Sequence, residues 1–340
     1  MTEPIRINLA LQGGGAHGAF TWGVLDRLLD DEDIEVAAIS GTSAGAMNGA
    51  AFKAGWLENG RKGARANLDW FWSQTGAIND DRLTQWLTAL APTVPQLARA
   101  MALSPAYMAF DMTARMVSPY VYGPMLRNPL ERIVRQFRYD EVCAADGPEL
   151  YVGATNVRSG KIRVFSGDDI GPDALMASAC LPTLFQSVEI EGEAYWDGGY
   201  TGNPALFPLF EPHLPDDVLI ININPIVRDD VPTESQEIQN RINEISFNAS
   251  LLRELRAIAF VKRLLADGSL ARGTMKDVLV HMVSDDVLMN DLNVATKTIP
   301  TAVILATLKS AGRAAMDGFL AVHKADLGRR STVDLAAMFG

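Results

Sequence analysis

Cysteine and histidine are scarce: the 340 residues hold two cysteines, Cys143 and Cys180, and four histidines. That excludes a disulfide framework and any zinc-finger spacing; separately, no metal and no cofactor is expected. Positive charge is also short. Thirty Lys and Arg face 41 Asp and Glu, for a formal net charge of −11. Nucleic acid is therefore excluded as an expected partner, since phosphate binding needs clustered cations. Charge does not draw such a chain onto anionic membranes either, so any transient membrane or lipid-surface contact has to be apolar and local. No apolar run reaches the ~18 residues of a bilayer-spanning helix. The stretch MTEPIRINLA lacks a basic region followed by an apolar core, so no secretory leader is expected in it. Together these point to a reduced, cytoplasmic protein, at most peripheral at lipid surfaces; the oligomeric state is left open.

What the chain does have is 48% hydrophobic residues, ample for a large core. IRINLAL (5–11) reads as a buried strand, GAFTWGVLDRLLD (18–30) as a helix, EVAAIS (35–40) as a second strand and AGAMNGAAFKAG (44–55) as a small-residue helix. That order predicts an α/β fold with a largely parallel central sheet flanked by helices. Residues 56–135 read as mostly helical. Residues 149–157 and 161–166 read as a strand pair, and 187–199 as a hairpin turning near Gly192, with Val188, Ile190, Ala194 and Trp196 alternating against polar neighbours. DVLIININP (217–225) is a strand stopped by Pro225. A long amphipathic helix or helix pair is expected over 234–267, with Ile238, Ile242, Ile245, Leu252, Leu255 and Ile258 on one side. VLVHMV (278–283) gives a last strand and 302–324 a closing helix. The tail opens on a capping pattern from Ser331 to Asp334. With no repeat or linker, residues 1–340 are read as one domain, with a motif-bearing core over about 5–225 and a helical C-terminal part over about 226–340.

Three short motifs carry candidate chemistry. The first strand runs into LQGGGAHG (11–18). Bare backbone N–H groups after a strand suit either a phosphate or a developing oxyanion. The spacing Gly13-x-Gly15-x-x-Gly18 also fits the dinucleotide fingerprint, but that motif wants an acidic residue at the end of the second strand. Asp33 and Glu35 stand before or at the start of that strand, and its end carries SGTSAG. Within it, Gly41-Thr42-Ser43-Ala44-Gly45 is a G-x-S-x-G nucleophile elbow, where a sharp strand-to-helix turn pushes the Ser43 hydroxyl outward. The lesser reading of the motif by itself is a tight turn with a capping serine. His213, His281 and His323 all follow Ser43, so a Ser-Asp-His order is formally available. Asp197 in YWDGGY (195–200) offers another base, beside Gly198 and Gly199, although Asp-Gly is also a common hairpin turn.

GGGAHG (13–18), GTSAG (41–45) and DGG (197–199), in this order, resemble the patatin-like acyl hydrolases, as does ASACLP (177–182), which matches a further block of that family. The resemblance covers roughly residues 5–225 and implies a patatin-like three-layer fold with lipid acyl hydrolysis as the activity. By that resemblance Ser43 is the nucleophile, Asp197 its base, and Gly13, Gly14, Gly15 and Gly18 form the oxyanion strip. One departure is His17, which stands where the family often has Arg or Lys.

The substrate class the resemblance implies is a lipid or other acyl ester. Alternatives are a soluble ester, thioester or polyester as substrate, or a non-catalytic lipid-binding protein with an idle site. Met101, Met108, Met112 and Met116 fall on one helical stripe, read either as an adaptable acyl-binding wall or lid or as ordinary core. Trp56, Trp70, Trp72 and Trp86 suit either a lipid interface or core filling.

Overall fold

The computed structural model describes residues 3–78, 91–122 and 128–339. Among the described residues eight strands form one sheet: β1 (Ile5–Leu11), β2 (Ile34–Thr42), β3 (Glu149–Asn156), β4 (Ile162–Ser166), β5 (Val188–Ile190), β6 (Glu193–Asp197), β7 (Asp217–Ile221) and β8 (Leu279–Val283). The order is β5-β6-β3-β2-β1-β7-β8, with β4 on the other edge of β3. From β3 to β8 the pairs are parallel, while β4, β5 and β6 pair antiparallel. The parallel strands read as continuous apolar runs because helices cover both faces.

One face is packed by α1 (Gly18–Leu28), α2 (Ala44–Gln74), α5 (Pro172–Ser178) and α7 (Ala302–His323), and Phe20, Leu25, Met47, Leu175 and Leu305 belong to its core. The other face is covered by the C-terminal half of α6 (Ser235–Ala266), through Leu251, Leu255 and Ile258 against Val218 and Ile220. The result is the expected three-layer α/β arrangement. The C-terminal part is not purely helical, since it supplies β8. The helices α3 (Val94–Ala102) and α4 (Pro105–Met116) form a satellite unit, packed through Ala102 and Tyr107 on Ala295.

Several local expectations change. The apolar stripe of α6 splits. Leu255 and Ile258 are buried, but Ile238, Ile242 and Ile245 are exposed, and Glu244 and Asn248 are buried in their place. The reason is backbone demand. The segment after β7 has carbonyls with no sheet partner, and the polar face of α6 meets them: Arg241 donates to Pro225 and Ile226, and Asn248 to Asn224 and Pro225. On β6 the deeply buried residues are Tyr195 and Asp197, whereas Ala194 and Trp196 are half-buried on the opposite face. At the tail Asp334, rather than Ser331, caps the last turn by accepting from Ala337 N–H, while Ser331 accepts from Val280. Trp72 is core, stacked on Trp22, and Trp56 and Trp70 pack on Phe52 and Phe137. Trp86 lies outside the described residues.

Candidate active site

Strand register brings the site together. β2 pairs with β3 as far as Thr42 opposite Gly153, and β6 pairs with β3 from Asn156 to Ala154, where Asp197 lies opposite Ala154. β4 occupies the other edge of β3 over residues 151–155, so β2 and β6 share one edge. They run in opposite directions and end on adjacent residues of β3. Ser43 and Asp197, the first residue past one strand and the last of the other, therefore meet.

Ser43 has φ 53° and ψ −122°, in the left-handed region that favours glycine, and α2 starts at Ala44 immediately after it. This is the strained strand-to-helix turn expected of an elbow. The turn is tight on all sides: a Cβ at Gly45 would lie 2.1 Å from the Leu11 carbonyl oxygen. Gly41 and Ala44 are equally enclosed, and Thr42 Oγ1 donates to the Gly202 carbonyl at 2.7 Å, tying the elbow strand to the loop after Asp197.

Asp197 is buried, and Gly199 N–H donates to its Oδ1 at 2.8 Å. Burial lifts its carboxyl from the ordinary carboxylate range to about 6, while the Gly199 N–H bonded to it, and then the neighbouring Ser43 hydroxyl, pull the other way. Phe247 of α6 closes over Gly199, where a Cβ would come within 2.4 Å of its ring, and Tyr200 packs against Phe247 at 5.6 Å between centroids. The same burial, with the Asp197 charge as a second cause, pushes the Cys180 thiol and the Tyr200 hydroxyl each up to about 12. Tyr195, two residues before Asp197, packs on Phe165 and accepts from Arg163.

The glycine strip lies alongside the elbow. A Cβ on Gly13 would fall 2.8 Å from both Ser43 Cβ and the Thr42 carbonyl oxygen. Gly15 has φ +57° and its Cβ would lie 2.4 Å from the Lys297 carbonyl oxygen, so both positions require glycine. The donors are not equivalent, which corrects the four-glycine expectation. Gly13 N–H is bound by Asn203 Oδ1 at 2.6 Å, and Gly18 N–H by the Gly15 and Ala16 carbonyls. Gly18 instead lets α1 approach Ala44. Among the described residues, Gly14 and Gly15 N–H have no protein acceptor.

His17 is buried, with Nε2 at 2.8 Å from Thr296 Oγ1. Burial, and then the charge of Lys297, hold its pKa well below the ordinary imidazole value, so it is neutral. The other three histidines have partners away from Ser43: His213 with Glu149, His281 with Asp217 and Thr332, and His323 with Asp326. Asn203, Ser178 and Lys297 at the site were not picked out from the sequence. Ser178 lies in the ASACLP block, the only signal that pointed near it.

Met101 sits on α3, whereas Met108, Met112 and Met116 line α4 and are 54%, 61% and 73% exposed. That excludes ordinary core packing for these three.

Comparison with known proteins agrees with the motifs. In structure, VipD from Legionella pneumophila is similar at 16% identity and a TM-score of 0.44, covering 94% of this chain and 67% of VipD. The type III effector ExoU is similar at 17% identity and a TM-score of 0.34, covering 95% of this chain and 54% of ExoU. ExoU in its complex with SpcU from Pseudomonas aeruginosa gives 17% and 0.30, covering 95% and 60%. The chain thus spans about two thirds of VipD and little more than half of ExoU. No curated protein sequence matches. The sequence pattern of the family described as Patatin-like phospholipase matches residues 9–210, more than half of the chain. The chain belongs to the patatin-like phospholipase family, whose members hydrolyse lipid acyl esters.

Proposed function

We propose that this protein is a phospholipase A-like serine acyl hydrolase that cleaves carboxylic esters of lipids through a Ser43–Asp197 dyad. The observation that carries this reading is the register of β2 and β6 on one edge of β3, which sets Ser43, on its strained turn, against the buried Asp197 carboxylate, lifted by burial to about 6. An ordinary carboxylate, at about 4, is a poor base for an alcohol. Burial brings Asp197 closer to the proton it has to accept and keeps competing water away. Ser43 Oγ attacks the ester carbonyl as Asp197 takes its proton, and the negative charge moves to the carbonyl oxygen. Gly14 and Gly15 N–H receive that charge. Asp197 returns the proton to the leaving alcohol, and water, activated by the same carboxylate, then hydrolyses the acyl-enzyme.

The exposed apolar surface supports a lipid rather than a small soluble ester. Arg115 of α4 donates to Gln239 of α6 at 3.2 Å, so the end of the helix that exposes Met108, Met112 and Met116 meets the start of the helix that exposes Ile238, Ile242 and Ile245. Segment 94–122 carries Arg99, Arg115 and Asp111 as its only charges, on a chain of net charge −11. A nearly neutral apolar face on an acidic protein suits contact with acyl chains and zwitterionic headgroups.

A panel of phospholipids and neutral esters, as monomers and as vesicles, assayed with the wild type and Ser43→Ala, tests the proposal. Hydrolysis of vesicular phospholipid that disappears in Ser43→Ala is the expected result. Activity that survives in Ser43→Ala, or none in the wild type, overturns it.

A further inference from the structure

Lys297 stands next to the glycine strip and outside the region that matches the family. It lies on the short helix Val294–Thr298, which His17 anchors through Thr296. Its backbone packs against Gly15, and its Nζ donates to Asn224 Oδ1 at 2.7 Å. Asn224 in turn donates through Nδ2 to the Gly13 carbonyl at 3.0 Å. That carbonyl belongs to the same peptide unit as the Gly14 N–H. The Gln12 side chain fixes the direction of the Asn224 amide, since Oε1 accepts from both Asn224 N–H and Nδ2. The donors and acceptors thus line up in one direction: ammonium, Asn224 amide, Gly13–Gly14 peptide, then the open N–H.

We propose that Lys297 is a positioning residue that, through Asn224, polarises the Gly14 N–H and so supplies the positive field that neutral His17 does not. This deepens the hydrolase reading and rests on it. Hydrogen bonds in series strengthen one another inside a protein, and a cation at the head of the chain adds its field to each. The chain ends where negative charge develops during acylation, so its effect falls on kcat rather than on ground-state binding.

The titratable groups that face Lys297 are the neutral His17 and the charged Arg228 and Glu244; the helix α3 packed beside it adds only the exposed Arg99. Burial is the largest cause that lowers the Lys297 pKa, to about 8, with Glu244 raising it and Arg228 lowering it. The charge is thus lost as pH rises through that value.

The test uses p-nitrophenyl butyrate, a neutral monomeric ester, and the rate at which a fluorophosphonate labels Ser43. Lys297→Met is expected to lower kcat and the labelling rate by about tenfold, a fraction of what loss of a whole oxyanion donor costs, with KM unchanged within about twofold. Lys297→Arg is expected to recover part of the loss. Wild-type kcat should step down above pH 8 to the Lys297→Met level, a step absent from both variants. Should Lys297→Met fold poorly, the step in the wild type remains as a readout. Wild-type kcat in Lys297→Met, an effect on KM alone, or no step in the wild type overturns the proposal. If Ser43 is not labelled even in the wild type, it is the hydrolase reading that fails.

Discussion

Ser178 Oγ accepts the Ser43 N–H at 2.9 Å and donates to the Gly153 carbonyl at 2.7 Å. Two residues further on, the Cys180 carbonyl accepts the Asp197 N–H at 2.8 Å. One short segment at the end of α5 therefore holds the backbone of both members of the proposed dyad. The Ser43 N–H is occupied and does not face the substrate as an oxyanion donor. Ser178→Ala takes the partner from the buried Ser43 N–H and one donor from the Gly153 carbonyl, at about 1–3 kcal/mol. The expected result is that loss in urea unfolding, together with a kcat reduced by roughly tenfold to a hundredfold through misplacement of the nucleophile.

The histidines give a direct test of dyad against triad. Replacing Ser43 with Ala is expected to abolish ester hydrolysis and phosphonate labelling, and Asp197→Asn to reduce kcat by orders of magnitude. His213→Gln and His323→Gln should retain kcat within about twofold, since their rings bond Glu149 and Asp326. His281→Gln is expected to lower Tm, because its buried ring bridges Asp217 and Thr332, but not to remove activity. A folded, inactive variant of any of the three would replace the dyad with a triad.

Asp197 makes activity and stability respond to pH in opposite directions. Catalysis needs the carboxylate, so kcat/KM should rise with pH through about 6. Folding favours the protonated form: the carboxyl pKa is raised above its unfolded value of about 4, so the folded state holds the proton more tightly. Stability from this group is fully present below about pH 4 and is lost as pH rises to about 6, at most by roughly 3 kcal/mol. Asp197→Asn keeps an acceptor for Gly199 N–H and removes the buried charge. It should therefore raise Tm at pH 7.5 while abolishing turnover, and calorimetry on the two proteins decides. Glu254, another carboxyl lifted by burial, to about 7, accepts from Leu206 and Phe207 N–H; Glu254→Gln is expected to leave the acid limb in place.

The three strip glycines should rank by what a methyl group would meet. At Gly13 it strikes the backbone and Cβ of the elbow, and at Gly15 the Lys297 carbonyl at a positive φ. At Gly14 it meets the end of the Ile223 side chain at 2.9 Å, which can shift. Gly13→Ala and Gly15→Ala are thus expected to unfold several degrees earlier than the wild type, and Gly14→Ala to stay closest to it. The same Tm for all three would contradict the packing described.

Met112→Gln with Met116→Gln should leave Tm unchanged, because both side chains are mostly exposed. Hydrolysis of phosphatidylcholine vesicles, or chain-length preference, should change while turnover of p-nitrophenyl butyrate does not. A clear loss of Tm would mark these residues as packing instead.

Most elements could be read from the sequence because their signals are local. The apolar run of β1, the small-residue start of α2 and the turn at Glu191–Gly192, both with positive φ, are set by neighbours within a few residues. The elbow and the Asp-Gly-Gly loop were legible for the same reason, since backbone strain and close packing demand glycine at fixed offsets. Tertiary structure decided which of these groups meet. No local signal says that β2 and β6 end on adjacent residues of one edge of β3, which is what joins Ser43 to Asp197. Nor does one say that Asn203 takes the Gly13 N–H, that α6 turns its polar face inward to satisfy the 224–226 carbonyls, or that Lys297 backs the strip. Each of these depends on hydrogen-bonding groups far apart in the chain being satisfied by whatever the fold brings to them, and a sequence records those groups without recording their partners.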